Sequence, residues 1–506
     1  MERVLTLYWS IFSLACGACI GSFLNVVIYR WPRGLSVRRP VRSFCPACQN
    51  RIAWYDNVPV ASYLRLRGRC RHCGARISLQ YPIVELATAM AFLMIYDAFF
   101  VARLRLGVGE LFTDFPILIA HWALVAGLIA VTVMDLEAYM VDIRVTWLVS
   151  LAGVVGHVFW TPPASREWIR PGALQAGWVW AGVIGFALGA WWMLRRQSET
   201  AIEESPVDDS QPSPPGDASM SSSNGAPSGG FPSDADPSNN AMIGQPPAPV
   251  SLRWLWLMVP LGLVLAYALA MAFTGPAGEP MRRPRFWLPL DDIGQIEFQS
   301  AGMLRVGLGL VLLFLALTAA ASEPREQADA QIVEAIEFEA VDARRMALWE
   351  LKLIAPAVLL GGVVLWLLSG RPAAADAVGK LLDWRAWDGW RPMWGLSTGL
   401  AGWLIGGAIG WLARILFTLL FGKEALGMGD VHILAAAGAV AGWPVAFFGF
   451  FIGAMLALLG LLVIRLRRQS RMLPYGPWLG LGFFLAAMFQ DVIFEYLNVR
   501  WLFESR

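Results

Sequence analysis

The sequence predicts an all-α polytopic membrane protein, a transmembrane helix bundle with a small cytoplasmic zinc-binding domain between the first two helices. Three observations predict it. The 506-residue chain is 57% hydrophobic and only 15% charged, and its mean hydropathy of +0.53 is far above that of a soluble domain. It offers about a dozen apolar windows near the roughly 20 residues that cross a bilayer's hydrocarbon. Four of its cysteines, in two C-x2-C pairs, fall within one arginine-rich polar stretch.

The windows are Val4–Tyr29, Val84–Arg103, Pro116–Met134, Arg144–Trp160, Leu174–Leu194, Trp254–Thr274, Met303–Ala321, Leu353–Leu368, Leu396–Leu420, Val431–Trp443, Val445–Ile464 and Gly476–Leu497. Val431–Trp443 is too short to span alone. Met1–Phe23 has the look of a signal peptide, but its apolar run continues through Val26–Tyr29, which favours an uncleaved anchor. Lipoprotein cleavage at Cys16 is the alternative, and Ser13-Leu14-Ala15 fits it poorly.

Between Arg30 and Gln80 stand eleven arginines and a single acid, Asp56. Such a loop beside a first transmembrane helix is retained in the cytoplasm, which puts the N-terminus outside. Retention accounts for these arginines without a nucleic-acid partner, and the net charge of +2 points to none. Cys45-Pro46-Ala47-Cys48 and Cys70-Arg71-His72-Cys73, 21 residues apart, read as two knuckles whose thiolates close a tetrahedral zinc site with no open position. Reducing conditions argue against disulfides there. His72 reads as a solvated loop residue, while Cys16 and Cys19 read as packing groups of the first helix.

The chain divides into a first transmembrane helix (1–29), the four-Cys domain (30–83), helices leading to residue 196, an inserted block (197–394) and a final helical half (395–506). Within the block, 197–250 is rich in Ser, Pro, Gly, Asp and Asn and reads as disordered. Glu323–Lys352, with apolar residues at helical spacing, reads as a helix outside the bilayer. Additional transmembrane helices fill the remainder. If their number is even, both flanking halves keep the same orientation.

With the N-terminus outside, the third helix runs inward and brings Val131-Thr132-Val133-Met134-Asp135 to the cytoplasmic face, and an even insertion puts Lys423-Glu424-Ala425-Leu426-Gly427-Met428-Gly429-Asp430 on the same side. An ionisable group at membrane depth is a functional candidate. Two carboxylates sharing a site hold one proton between them; one then takes a proton from water and the other donates to a carbonyl oxygen. Gly427 and Gly429 leave room for an extended substrate backbone. The plainer reading makes Asp430 a helix N-cap. Asp142 before Ile143-Arg144-Val145 reads as a cap, Glu137 as a solvated loop residue and Asp97 as a group facing the bundle interior. A non-catalytic assembly factor or a transporter with a zinc docking loop is the competing class, although neither requires glycines immediately before an acid.

Taken together the motifs resemble the type IV prepilin peptidases, or leader peptidase/N-methyltransferases, of bacterial inner membranes. The resemblance runs through Gly21-Ser22-Phe23-Leu24-Asn25-Val26-Val27-Ile28-Tyr29-Arg30, Cys45-Pro46-Ala47-Cys48, Asp56-Asn57-Val58-Pro59, Leu66-Arg67-Gly68-Arg69-Cys70 and Tyr81-Pro82-Ile83-Val84-Glu85-Leu86. It resumes at Asp135, at Lys423–Asp430 and at Leu473-Pro474-Tyr475-Gly476-Pro477. It implies that Asp135 and Asp430 are the catalytic aspartates of a GxGD-type peptidase. The substrates it implies are type IV prepilins and the pseudopilins of type II secretion, cut on the cytoplasmic side. It also implies methylation of the new N-terminus with S-adenosylmethionine. The sequence departs from the family pattern where Met140-Val141-Asp142 lacks a proline, where His432 replaces a lysine, and across the block 197–394.

Overall fold

A computed structural model describes residues 2–39, 43–105, 108–138, 140–160, 172–203, 343–385, 390–424, 426–466 and 475–496, with helical pieces at 261–262, 264–268, 271 and 305–309. Each long apolar window that lies within these residues becomes a helix, because backbone groups in lipid must be satisfied within the segment itself. The elements are α1 (Glu2–Arg30), α2 (Ala61–Arg65), α3 (Gln80–Tyr96, continued by a π-turn Asp97–Val101), α4 (Leu111–Ala138), α5 (Ile143–Phe159), α6 (Ala173–Glu203), α7 (Ala343–Ser369), α8 (Pro372–Leu382), α9 (Pro392–Phe421), α10 (Met428–Ala441), α11 (Trp443–Leu466) and α12 (Gly476–Tyr496). Among the described residues eight helices are long and apolar enough to cross a membrane, while α5 and α10 are shorter. Isolated β-bridges join Phe44 to Arg51 and Arg69 to Arg76.

Helices α3 and α4 form the interior: the most apolar stretch of each is 89% buried, against 17% for α7 and 22% for α11. Those outer helices present residues such as Leu359, Trp366, Met455 and Leu458 outward, as a lipid-facing perimeter requires. Close helix approach rests on small residues. A Cβ on Gly17 would stand 2.6 Å from the Ala89 Cα, and one on Gly21 2.7 Å from the Glu85 Cα, so α1 lies directly on α3. Asp142 caps α5, its carboxylate accepting from the Arg144 amide at 2.9 Å, as the sequence predicts.

Several expectations change. Residues 343–352, expected in a separate extramembrane helix, instead run without interruption into the apolar stretch Leu353–Leu368, the two forming the single 27-residue helix α7. The remainder of that segment, 323–342, lies outside the described residues. Residues 197–203, expected to begin the disordered stretch, continue α6, and 204–250 lie outside the described residues. Cys19 is exposed rather than packed, and Cys16 is half-buried. Glu137 belongs to α4 rather than a loop and accepts a hydrogen bond from Gln80. Asp97 does face the interior, where it is fully buried against Arg305 (2.6 Å) and the Tyr267 hydroxyl (2.6 Å) from the inserted block.

Candidate active site

Helix α4 ends one turn beyond Asp135, which places that buried side chain at the helix's end. Its Oδ2 accepts the Gly476 amide at 2.8 Å, so the first turn of α12 contributes an orphan helix N–H to the carboxylate. A side chain at 476 is incompatible with that contact, since a Cβ there would lie 2.6 Å from Oδ2. The adjoining Tyr475 is half-buried and within electrostatic reach of Asp430. The Tyr475-Gly476 pair thus addresses both acids.

Asp430 is the third residue of α10, whose N-cap is Gly427. It is therefore not the N-cap itself; the Gly427 amide points at its carboxylate instead. Asp135, Arg414 and Glu424 are all within electrostatic reach of it. The two sequence-predicted acids are thus brought together from distant parts of the chain. The two glycines have separate reasons. Gly427 is exposed, and a Cβ on it would approach only the Asp430 Oδ2, at 3.4 Å. Gly429 packs directly under Val141, so its missing side chain lets the segment after Asp135 close on the turn carrying Asp430. His432 is half-buried, its ring 6.5 Å from that of Trp147.

The acids lie at the same end of the bundle as the cysteine loop. Gln80, the first residue of α3, bonds Glu137, two residues beyond Asp135, and the Arg144 guanidinium at the start of α5 bonds the Trp31 carbonyl at the end of α1 at 3.0 Å. Two hydrogen bonds to α3 fasten the loop and the helix that precedes it. The Asn25 amide donates to the Tyr81 carbonyl at 3.0 Å, and the Val60 amide donates to Glu85 Oε2 at 2.7 Å.

Within the loop, the Sγ atoms of Cys45, Cys48, Cys70 and Cys73 lie within 4.8 Å of one another. Cys45 and Cys73 are 3.9 Å apart and Cys48 and Cys70 4.0 Å apart, close to the ~3.8 Å edge of a tetrahedron with Zn–S bonds of about 2.3 Å. Each knuckle is closed by a β-bridge, Phe44 with Arg51 and Arg69 with Arg76. Each also turns through a left-handed residue, Gln49 (φ 58°) and Gly74 (φ 69°). The Cys73 amide, helped by that of His72 and opposed by some desolvation, brings the Cys70 thiol down to about 7, favouring the thiolate that ligation needs. Asp56 ties the second knuckle to α2, receiving Arg71 at 2.6 Å and Arg65 at 2.7 Å. Arg71 foremost, then Arg65, hold its carboxyl below the usual range against a desolvation that acts the other way. His72 is exposed.

Sequence reasoning overlooked Arg414, Glu350 and the Gly476 amide as parts of this site. An arginine inside the apolar window Leu396–Leu420 was the available signal for the first; the partners of the other two lie too far along the chain to be read.

Fold and site together define a polytopic helical membrane protein with two carboxylates within electrostatic reach of each other and a four-thiol loop after its first helix. A family model described as the Bacterial Peptidase A24 N-terminal domain matches residues 15–99. The chain is 39% identical over 146 residues to the prepilin leader peptidase/N-methyltransferase of Myxococcus xanthus (strain DK1622), covering 29% of this chain and 39% of that protein. It is 51% identical over 94 residues to that of Vibrio cholerae serotype O1 (strain ATCC 39315 / El Tor Inaba N16961), covering 17% and 36%. To that of Burkholderia pseudomallei (strain K96243) it is 30% identical over 174 residues, covering 30% and 52%. The chain thus spans between about a third and about half the length of these relatives. The resemblance drawn from the motifs is borne out by these similarities. No solved structure matches.

Proposed function

We propose that this chain is a membrane aspartyl endopeptidase of the bacterial inner membrane that removes leader peptides from type IV prepilins and from type II secretion pseudopilins. The observation that carries the reading is that Asp430, in the first turn of α10, lies within electrostatic reach of Asp135 at the end of α4. Two carboxylates that share one site favour holding a single proton between them. The ionised member takes a proton from water as the water attacks the scissile carbonyl, and the protonated member donates to the carbonyl oxygen. Gly427 leaves one side of Asp430 open to an extended substrate backbone. The relatives' names support prepilins as substrates, the motif resemblance extends this to pseudopilins, and retention of the arginine-rich loop supports a cytoplasmic orientation.

Cys45, Cys48, Cys70 and Cys73 would hold a structural zinc ion, and their spacing fits four thiolate ligands with no open position. The ion would clip the loop rather than take part in hydrolysis. N-methylation of the cleaved product with S-adenosylmethionine is the second activity of the reading, and no residue here is assigned to the methyl donor.

Co-expression of a prepilin with Asp135→Asn and Asp430→Asn variants tests the first activity. Processing is expected to stop with either, and undiminished processing removes that residue from the mechanism. The mass of the mature pilin's N-terminus tests the second: a missing methyl group after correct cleavage excludes it for that substrate.

A further inference from the structure

Arg414 lies near the C-terminal end of α9 with its side chain only 8% exposed. Its Nε donates to Glu350 at 3.0 and 3.1 Å, while Nη1 donates to the Glu424 carboxylate and to the Leu426 carbonyl. Leu426 immediately precedes Gly427, the N-cap of α10, so holding its carbonyl fixes where the helix carrying Asp430 begins. Glu350 belongs to α7, within the block that has no counterpart in the motif pattern. Its second oxygen also accepts the Trp411 indole at 2.8 Å. A second residue of α7 reaches the same loop: the Arg344 guanidinium stands 3.2 to 3.3 Å from where a Cβ would lie on Gly422, the left-handed residue that ends α9.

We propose that Arg414 is a positioning residue that sets the turn bearing Asp430, and that Glu350 makes the inserted helix α7 a brace for that turn. The proposal deepens the paired-aspartate reading and rests on it. A guanidinium presents a planar fork of donors that can grip two carboxylates and a carbonyl at once. A buried cation is tolerable only with its counter-charges in place. Glu424 is local to the loop and moves with it, whereas Glu350 ties Arg414 to a separate helix. Without Glu350 the fork loses its external anchor and the loop its reference point.

The test uses the full-length protein in detergent, with cleavage of a peptide spanning a prepilin leader junction. Amide hydrogen exchange over residues 424–430 is read in the same preparations. Arg414→Gln is expected to lower kcat by about a hundredfold, the scale of a 1 Å misplacement, with KM little changed. Arg414→Lys, which keeps the charge and a donor, recovers part of that loss. Glu350→Gln produces a smaller loss, and the double variant Glu350→Gln/Arg414→Gln behaves as Arg414→Gln alone, because Glu350 acts through Arg414. Exchange over 424–430 rises in each single variant while α4 keeps its protection. Where Arg414→Gln fails to fold, Arg414→Lys and Glu350→Gln carry the comparison. Unchanged exchange in the loop, or losses that simply multiply in the double variant, overturns the proposal. Asp430→Asn, run in parallel, separates the two ideas. If it still cleaves, the paired-acid reading falls, and the exchange data alone then decide whether the brace stands.

Discussion

The knuckle loop and the acid pair are built in opposite ways. The knuckle is made of near neighbours: each C-x2-C turn closes on itself through one β-bridge, and Asp56 meets arginines 9 and 15 residues away. Its charged groups are mostly exposed, with the Arg65 and Arg71 side chains 50% and 45% accessible. The acid pair draws on remote segments, since the amide that holds Asp135 comes from 341 residues further on. Covalent spacing and ligand chemistry therefore specify the first, whereas the second exists only once five helices have packed.

Metal removal should separate the two regions most strongly. Structural zinc supplies about 10–16 kcal/mol of apparent binding free energy in small folds. Chelation, or Cys45→Ser with Cys70→Ser, is thus expected to expose residues 43–77 to proteolysis while the membrane-spanning helices stay protected. One zinc per chain by elemental analysis accompanies the intact loop. Loss of protection throughout the bundle would show that the two regions are not independent.

Next in size is the chemistry. Asp135→Asn and Asp430→Asn should each reduce leader cleavage by about 10²–10⁴-fold, the range of a general acid or base, leaving zinc content unchanged. Gly476→Ala should follow. Its methyl group would collide with the Asp135 carboxylate at 2.6 Å, so cleavage falls without loss of either acid, as activity assays of the purified variant would register.

The smaller effects sharpen the knuckle side. The folded carboxyl of Asp56 lies below its unfolded value, so its contribution is present above about pH 3.9 and fades as pH falls through the lower folded pKa. Asp56→Asn removes that contribution at neutral pH. Because its arginine partners are half exposed, the loss should be no more than about 1 kcal/mol, seen as a slight rise in loop hydrogen exchange. Gln49→Gly relieves a left-handed non-glycine residue at φ 58° and should stabilise the loop by roughly 0.5 kcal/mol.

Much of the site was legible because its residue types are improbable where they stand. Asp135 closes an apolar run, Asp430 follows two spaced glycines, and the cysteines recur at ligand spacing. Some reasons were not legible. Gly429 read as room for substrate, yet Val141 fills that space. Residues 343–352 read as extramembrane because Arg344, Arg345, Glu350 and Lys352 dilute the apolar pattern. In the bundle Glu350 is paired with Arg414, which removes the cost of carrying it there.

The sequence by itself determined the helical class, most of the spans and the four-thiol loop, and it singled out the two candidate acids. These follow from hydropathy, from local turn geometry and from ligand chemistry, all of which act over short stretches of chain. Only the tertiary structure decided that Asp430 lies within electrostatic reach of Asp135, that Gly476 supplies an amide to Asp135 and that α7 reaches the turn bearing Asp430. Helix-to-helix contacts depend on which small residues face each other across the bilayer, and the period of a single apolar helix does not encode its neighbour.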